Sequence, residues 1–371
     1  MSQSLSKIGC KSCGAELVFD PGTQLSNCNF CGSSFEIEQA EEFQLIVPDG
    51  ILPFTITKDS YEKSVLQWLS DGDFTPDDVL SSTVFQSTNG IYLPMWFFKG
   101  RYHGNWSASS GYDRIETYLE RDSNGKLRER SRTVTDWRPS NGQISGEFAV
   151  LSFANSESNI PWDAINYAHG TSFARGDLKP FDSKYSAGFN LIEFKDESID
   201  SWESYGEEQV NRIAKSDAES RIPGDRFKDL RSDVLHDKEE PIRVYIPFWL
   251  THYSYGEEKF HVYMDGTATH RIEGIRPVDK EKEAEANRKF LKGHIGCGTT
   301  ILLFLITVFG IESYDSTYDT MIEAVVWLTF ITLGLYGIGA YQKNQMIKES
   351  KARRSAALEK QLGSSEQETE E

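Results

Sequence analysis

The sequence predicts an α+β protein with an N-terminal zinc ribbon, two related β-rich α+β modules and a C-terminal two-helix transmembrane hairpin. Three observations carry that expectation. Two Cys-x-x-Cys-Gly units stand near the start, Cys10/Cys13 and Cys28/Cys31. Two stretches in the middle repeat one aromatic pattern, "IYLPMWFFKGRYHGNW" from Ile91 and "VYIPFWLTHYSYGEEK" from Val244. Two uncharged apolar runs, Ile295–Ile311 and Ala324–Tyr341, lie near the end.

The ribbon is expected over 1–40. Zinc takes four thiolates in a tetrahedron, and each Cys-x-x-Cys supplies two from one tight turn. Cys10, Cys13, Cys28 and Cys31 are the candidate ligands of a structural Zn2+, because four cysteines leave no open position for a reactant. "AELVF" and "SFEIE" read as the flanking strands. A segment this short buries too little apolar surface to fold alone, so the metal would supply the stability. The chain has five cysteines, four of them here and Cys297 apart, which fits a reducing compartment.

The first module is expected over 41–175 and the second over 176–278. Aligned without gaps, the repeats share Tyr92/Tyr245, Pro94/Pro247, Trp96/Trp249 and Tyr102/Tyr255. Proline cannot donate a ladder hydrogen bond, so each copy reads as an entering strand, a kink and an antiparallel hairpin. "SNG" after Arg121 and "DG" at Asp265 mark the hairpin turns. A helix precedes each copy. "KDSYEKSVLQWL" places Asp59 as the cap and Tyr61, Val65, Trp68 and Leu69 on one face. "SIDSWESYGEEQVNRIA" places Ile199, Trp202, Val210 and Ile213 on one face. Matched aromatics at this spacing read as core.

Residues 279–294 form a basic juxtamembrane segment, 295–341 the hairpin, and 342–371 an acidic-ended tail. As helices the two apolar runs match the hydrocarbon thickness of a bilayer. Lys280, Lys282, Arg288, Lys289 and Lys292 precede the first run, and Lys343, Lys348, Lys351, Arg353 and Arg354 follow the second. The connecting "ESYDSTYDT" has no Lys or Arg. The positive-inside rule then gives a multi-pass protein of the cell (inner) membrane with both termini cytoplasmic. With no ionisable residue near the middle of either run, the hairpin reads as an anchor.

The 371 residues carry 57 acidic and 39 basic side chains, a formal charge of −18, which disfavours a phosphate backbone as partner. Arg128, Arg130 and Arg132 line one strand face, where Glu116 and Glu120 lie across the hairpin to pair with them. His252, His261 and His270 recur every nine residues with no carboxylate or Cys to complete a metal site. No Walker A loop, Gly-x-Gly-x-x-Gly, His-Glu-x-x-His or nucleophile elbow occurs, so no catalytic residue is assigned and the chain is not read as an enzyme.

The stretches "CKSCGAELVFDPGTQLSNCNFCGSSFEI", "GIYLPMWFF", "LKPFDSKYSAGF" and "VYIPFWLTHYSYGEEKFHVYMDG", in this order, give a resemblance over nearly the whole chain. It resembles prokaryotic membrane-anchored proteins with an N-terminal TFIIB-type zinc ribbon, often labelled primosomal or replication-helicase-like. That resemblance implies zinc on Cys10, Cys13, Cys28 and Cys31, and neighbours of the SPFH-domain and phage-shock types. Relatives tend to have a glycine where "MDGTATHRIEG" has Thr269. The expected function is a membrane-anchored, cytoplasm-facing adaptor that recruits such protein partners. The alternative is a membrane-tethered nucleic-acid binder that uses the ribbon and the Arg128–Arg132 stripe.

Overall fold

The structure is a computed structural model. It describes residues 4–12, 16–19, 33, 41–44, 47–121, 125–173, 176–185, 188–267, 271–288, 337 and 339–362. The chain opens with strands β1 (Ser4–Gly9), β2 (Glu16–Phe19), β3 (Glu41–Gln44) and β4 (Gly50–Ile51), then helices α1 (Lys58–Ser70) and α2 (Val79–Ser82). Two long strands follow, β5 (Thr83–Arg121) and β6 (Leu127–Phe153), then helix α3 (Trp162–His169) and strand β7 (Asn190–Leu191). Helix α4 (Ser198–Ser201) passes through one π turn, Trp202–Gly206, into α5 (Glu207–Arg221). Strands β8 (Arg226–Lys238), β9 (Ile242–Tyr255), β10 (Glu258–Asp265) and β11 (Ile272–Gly274) come next. Helices over 280–288 (α6) and 339–362 (α7) complete the described part.

The chain divides into two compact units. The first takes Met1–Thr55, Asn89–Trp249 and Asp265–Thr269. Its sheet is mainly antiparallel: β1 pairs β2 and β3, β2 pairs β7, and β5 pairs β6 on one edge and β8 on the other. Two short parallel contacts join β4 to β9 and β7 to β5. The strands that carry the two sequence repeats share one core here. Tyr92 and Tyr245 are fully buried with ring centroids 6.0 Å apart, and Phe54 stands edge-on to both Tyr92 and Trp249. Each tyrosine keeps its hydroxyl satisfied, Tyr92 donating to the Tyr185 carbonyl and Tyr245 to that of Ile192. Burial without such partners would cost several kcal/mol on the order of a lost hydrogen bond each.

Helix α5 covers the β5–β6 sheet through Val210, Ala214 and Ala218, spaced by four so that they fall on one face. The two alanines let the helix approach Tyr102, Trp106, Ile144 and Phe148, all buried. Tyr102 and Trp106 lie across Gly146 and Gly142 of β6, where a Cβ would stand 2.5 Å from the Tyr102 hydroxyl and 2.8 Å from the Trp106 ring nitrogen. Glycine is required at those two positions because the aromatic occupies the space of its cross-strand neighbour's side chain.

The second unit takes Ile56–Thr88, Leu250–Met264 and His270–Glu371. Thr57 caps α1, its hydroxyl accepting from the Ser60 amide, and Tyr61, Val65 and Leu69 form the buried face. The Tyr61 hydroxyl donates to the Val262 carbonyl of β10 at 3.0 Å, and burial drives its pKa far up. Helix α7 docks through Ser350, Arg354 and Leu358, again at a spacing of four. Arg354 is fully buried and donates to the carbonyls of Ser70, Gly72 and Thr75 where α1 ends. A guanidinium suits that place, since the last carbonyls of a helix lack partners and carry the negative end of its dipole.

These findings correct several expectations. Among the described residues no helix is long and apolar enough to cross a membrane, which stands against the expected transmembrane hairpin of 295–341 and the multi-pass inner-membrane location. Residues 295–311 and 324–336 lie outside the described residues. The cations that suggested the orientation have another use: Lys351 pairs with Asp73, Arg353 with Asp77, and Arg354 holds the end of α1. The C-terminal part that is described is one docked helix, not a hairpin.

The separate metal-built ribbon is corrected as well. Strand β2 pairs β7 at Val18↔Leu191, so the N-terminal strands extend the sheet of the first unit. Among the described residues no group of three or more His, Cys, Asp or Glu could hold a metal ion. The fold class that stands is α+β with a mainly antiparallel sheet.

Candidate interaction surface

Strands β5 and β6 pair without a break from Met95↔Phe153 to Arg121↔Leu127. Strand β8 lines the other edge of β5 only from Gly100 to Gly111. It carries a bulge opposite Ser107–Ser109, where Asp229 takes a φ of 57°. Gly224, at φ +101°, brings β8 in against the Gly111 carbonyl, which accepts from the Asp225 amide. The Asp225 carboxylate accepts in turn from the Asp113 amide, 2.8 Å away. There β8 ends as a partner, and 112–121 with 127–136 form a two-stranded arm.

Helix α5 ends short of the arm; Arg221 reaches the Gln143 carbonyl and pairs with Asp217. Strand side chains alternate between two faces. On one face of the arm stand Ile115, Leu119 and Leu127, exposed by 77%, 66% and 52%, among Thr117, Ser131 and Thr133, with Glu129 opposite Leu119 and Arg121 opposite Leu127. No helix or strand covers this stripe among the described residues. An exposed apolar stripe costs solvation and marks a contact surface when it is contiguous.

The opposite face is charged and internally compensated. Arg132 donates twice to Glu116, Arg130 pairs with Glu120 at 2.6 Å, and Arg114 pairs with Asp136 at 2.9 Å. Arg132 also lies over the Tyr118 ring and Arg138 over that of Tyr112. The Arg132 guanidinium holds the Glu116 carboxyl below its usual range. The cross-strand pairing expected of Glu116 and Glu120 is thus present.

Nearer the base, Asn105, Ser107, Asn141, Gln143, Arg231 and Asp233 line an open cleft of about 560 Å³. These side chains form no nucleophile–base pair. His169 is the more unusual group. Its Nε2 accepts from the Phe153 amide at 3.0 Å, its ring stacks on Tyr205 of the π turn, and burial lowers its pKa to about 4. It is held neutral as part of the packing. His252 and His261 have ring centroids 6.5 Å apart, and burial, then the neighbouring His261, lowers the pKa of His252 to about 4. His270 lies outside the described residues.

Of the four cysteines read as zinc ligands, Cys10 is described. It is buried at the turn between β1 and β2, with Sγ 3.3 Å from the Ser33 hydroxyl. Cys13, Cys28 and Cys31 lie outside the described residues. Sequence reasoning missed the apolar stripe, although its signal is present: Ile115, Thr117 and Leu119 alternate with the charges of "DRIETYLER".

The chain is similar to the uncharacterized protein YdjG of Bacillus subtilis (strain 168), 24% identical over 350 residues. The match covers 81% of this chain and 96% of the relative. No family model and no solved structure matches.

Proposed function

We propose that this protein is a non-enzymatic adaptor that recruits protein partners through the β5–β6 arm. The observation that carries this reading is the uncovered stripe of Ile115, Leu119 and Leu127 beyond the end of α5. On its reverse face Arg114, Arg130 and Arg132 are already paired with carboxylates, which leaves them little to offer a phosphate backbone, and the net charge of −18 acts in the same direction. Proteins of the SPFH-domain or phage-shock type, implied by the sequence resemblance, are the partners to seek first.

Zinc on Cys10, Cys13, Cys28 and Cys31 belongs to the same reading, as a structural ion on the β1–β2 turn. The place of Cys10 supports it, because Cys10 follows β1 directly, just beyond the Gly9↔Glu16 pair. Elemental analysis of the purified full chain should find zinc at one per chain, and its loss in Cys10→Ser; a metal-free, folded protein would remove the ion from the account.

The adaptor is tested by cross-linked capture with the full chain beside Ile115→Glu/Leu119→Glu. A defined set of proteins retained by the wild type and lost by the variant, at an unchanged Tm, is the expected result. An identical set from both would refute the arm as the contact element.

A further inference from the structure

We propose that the open edge of β5 at the arm pairs with the same edge of a second copy of this chain, antiparallel about Thr117. The proposal uses the edge of the arm, whereas the adaptor reading uses its apolar face, so either can fail alone.

The edge is free and correctly presented. Beyond Gly111 the described partner of β5 is β6 alone. The Gly111 carbonyl and the Asp113 amide both point away from β6, toward Asp225. Backbone groups alternate sides along a strand, so those of Ile115, Thr117 and Leu119 point the same way. An unpaired row of this kind is a template for another strand.

The two outer edges of the arm differ in protection. The free edge of β6 carries Pro139, which has no amide to donate, and Arg128, Glu129, Arg130 and Arg132 in near succession. Any two-fold pairing there about 129 or 130 sets arginines or glutamates against themselves. Over 112–121, β5 has neither proline nor lysine.

The sequence of that edge is self-complementary in one register. A two-fold axis at Thr117 sets Ile115 against Leu119 of the second copy and Thr117 against Thr117, as hydrogen-bonded pairs that exchange both backbone bonds. It sets Arg114 against Glu120 and Glu116 against Tyr118 in the closer, non-hydrogen-bonded pairs. With the ion pairs already present, the charges then alternate across four strands: Asp136, Arg114, then Glu120 and Arg130 of the second copy. Neighbouring registers fail. An axis at Glu116 opposes two glutamates, one at Tyr118 opposes Glu116 to Glu120, and one at Ile115 drives Leu119 into the place where β8 meets Gly111. Ile115 and Leu119, among the most exposed apolar side chains of the described residues, become cross-strand neighbours. A contact of two ribbon edges is smaller than a standard interface, so the dimer forms reversibly in the micromolar range.

Sedimentation of the full chain from about 1 to 100 μM should show a monomer–dimer equilibrium. Thr117→Pro removes a donor on the free edge and none toward β6, and should leave a monomer with the same circular dichroism and Tm. Oxidation of Thr117→Cys should trap a covalent dimer far above the wild-type level, while Ser131→Cys, on the outer edge of β6, should not. If the proline variant misfolds, the trapping pair decides. A wild type monomeric at about 100 μM, a dimer indifferent to Thr117→Pro, or equal trapping from both positions would overturn the proposal.

Discussion

The base and the tip of the β5–β6 ribbon are one pair of strands in one register, yet they have opposite fates. At the base, Tyr102, Trp106, Ile144 and Phe148 are buried under α5, and β8 closes the second edge. At the tip, Ile115 and Leu119 stand in solvent and the edge is open. Strand propensity does not separate the two regions; cover does. Apolar area removed from water contributes roughly 25 cal/mol per Å², so a residue supports the fold only where another element reaches it. The tip is held by base-anchored pairing and cross-strand charges, which leaves its apolar side chains available for other uses.

The comparison is broken most strongly at Trp106. Trp106→Ala should cost about 3–5 kcal/mol in denaturant unfolding, whereas Leu119→Ala should stay within about 0.5 kcal/mol. Equal costs would mean that the tip is core. The same contrast holds for arginines. Arg354→Met strips three buried carbonyls of their donor and should cost about 3 kcal/mol, read as a loss of Tm and early release of α7 on proteolysis. Arg130→Met should cost no more than about 1 kcal/mol.

A pH titration sharpens the contrast further. His169 titrates near 4 when folded against 6.5 when free, so its contribution is complete above pH 6.5 and is lost as pH falls through 4. His252 follows the same course. Each should remove about 2–3 kcal/mol across that window, and His169→Gln should flatten the curve by one share. Asp77 acts lower: burial opposes its ionisation, but Ser350, Lys282 and Arg353 hold its pKa at about 2. Docking of α7 should therefore persist from neutral pH down past the ordinary carboxylate range and fail as pH approaches 2. Glu116→Gln should leave the denaturant midpoint almost unmoved, because exposed pairs are screened by water.

Much of this was legible from local pattern. The antiparallel hairpin after Ile91, the buried Tyr92 and Tyr245, and Tyr61, Val65 and Leu69 of the α1 face follow from periods of two and about four, whereas Trp68, expected on that face, is only half-buried. The cap of α1 was misplaced by two residues, onto Asp59, because Thr57 makes the same bond from a β-region backbone. The face expected for 198–214 failed in a more instructive way. Trp202 and Val210 are buried, but Ile199 and Ile213 are exposed. The π turn at Trp202–Gly206 inserts extra rotation, so a face drawn at a constant 3.6 residues per turn cannot hold on both sides of it. Helix α7 was illegible for another reason. Its basic residues looked like topology signals because their acceptors lie some 280 positions away, in 70–77.

Residue-resolved hydrogen exchange on the full chain at low concentration tests the division of the ribbon most directly. Amides of the base, such as Tyr102 and Phe148, should exchange only through global unfolding. At the tip, Glu116 and Tyr118, which face β6, should be weakly protected, and Ile115, Thr117 and Leu119 should exchange at nearly unprotected rates. Uniform protection along β5 from Tyr102 to Leu119 would contradict the account, since it would mean that the tip is covered by an element of this same chain.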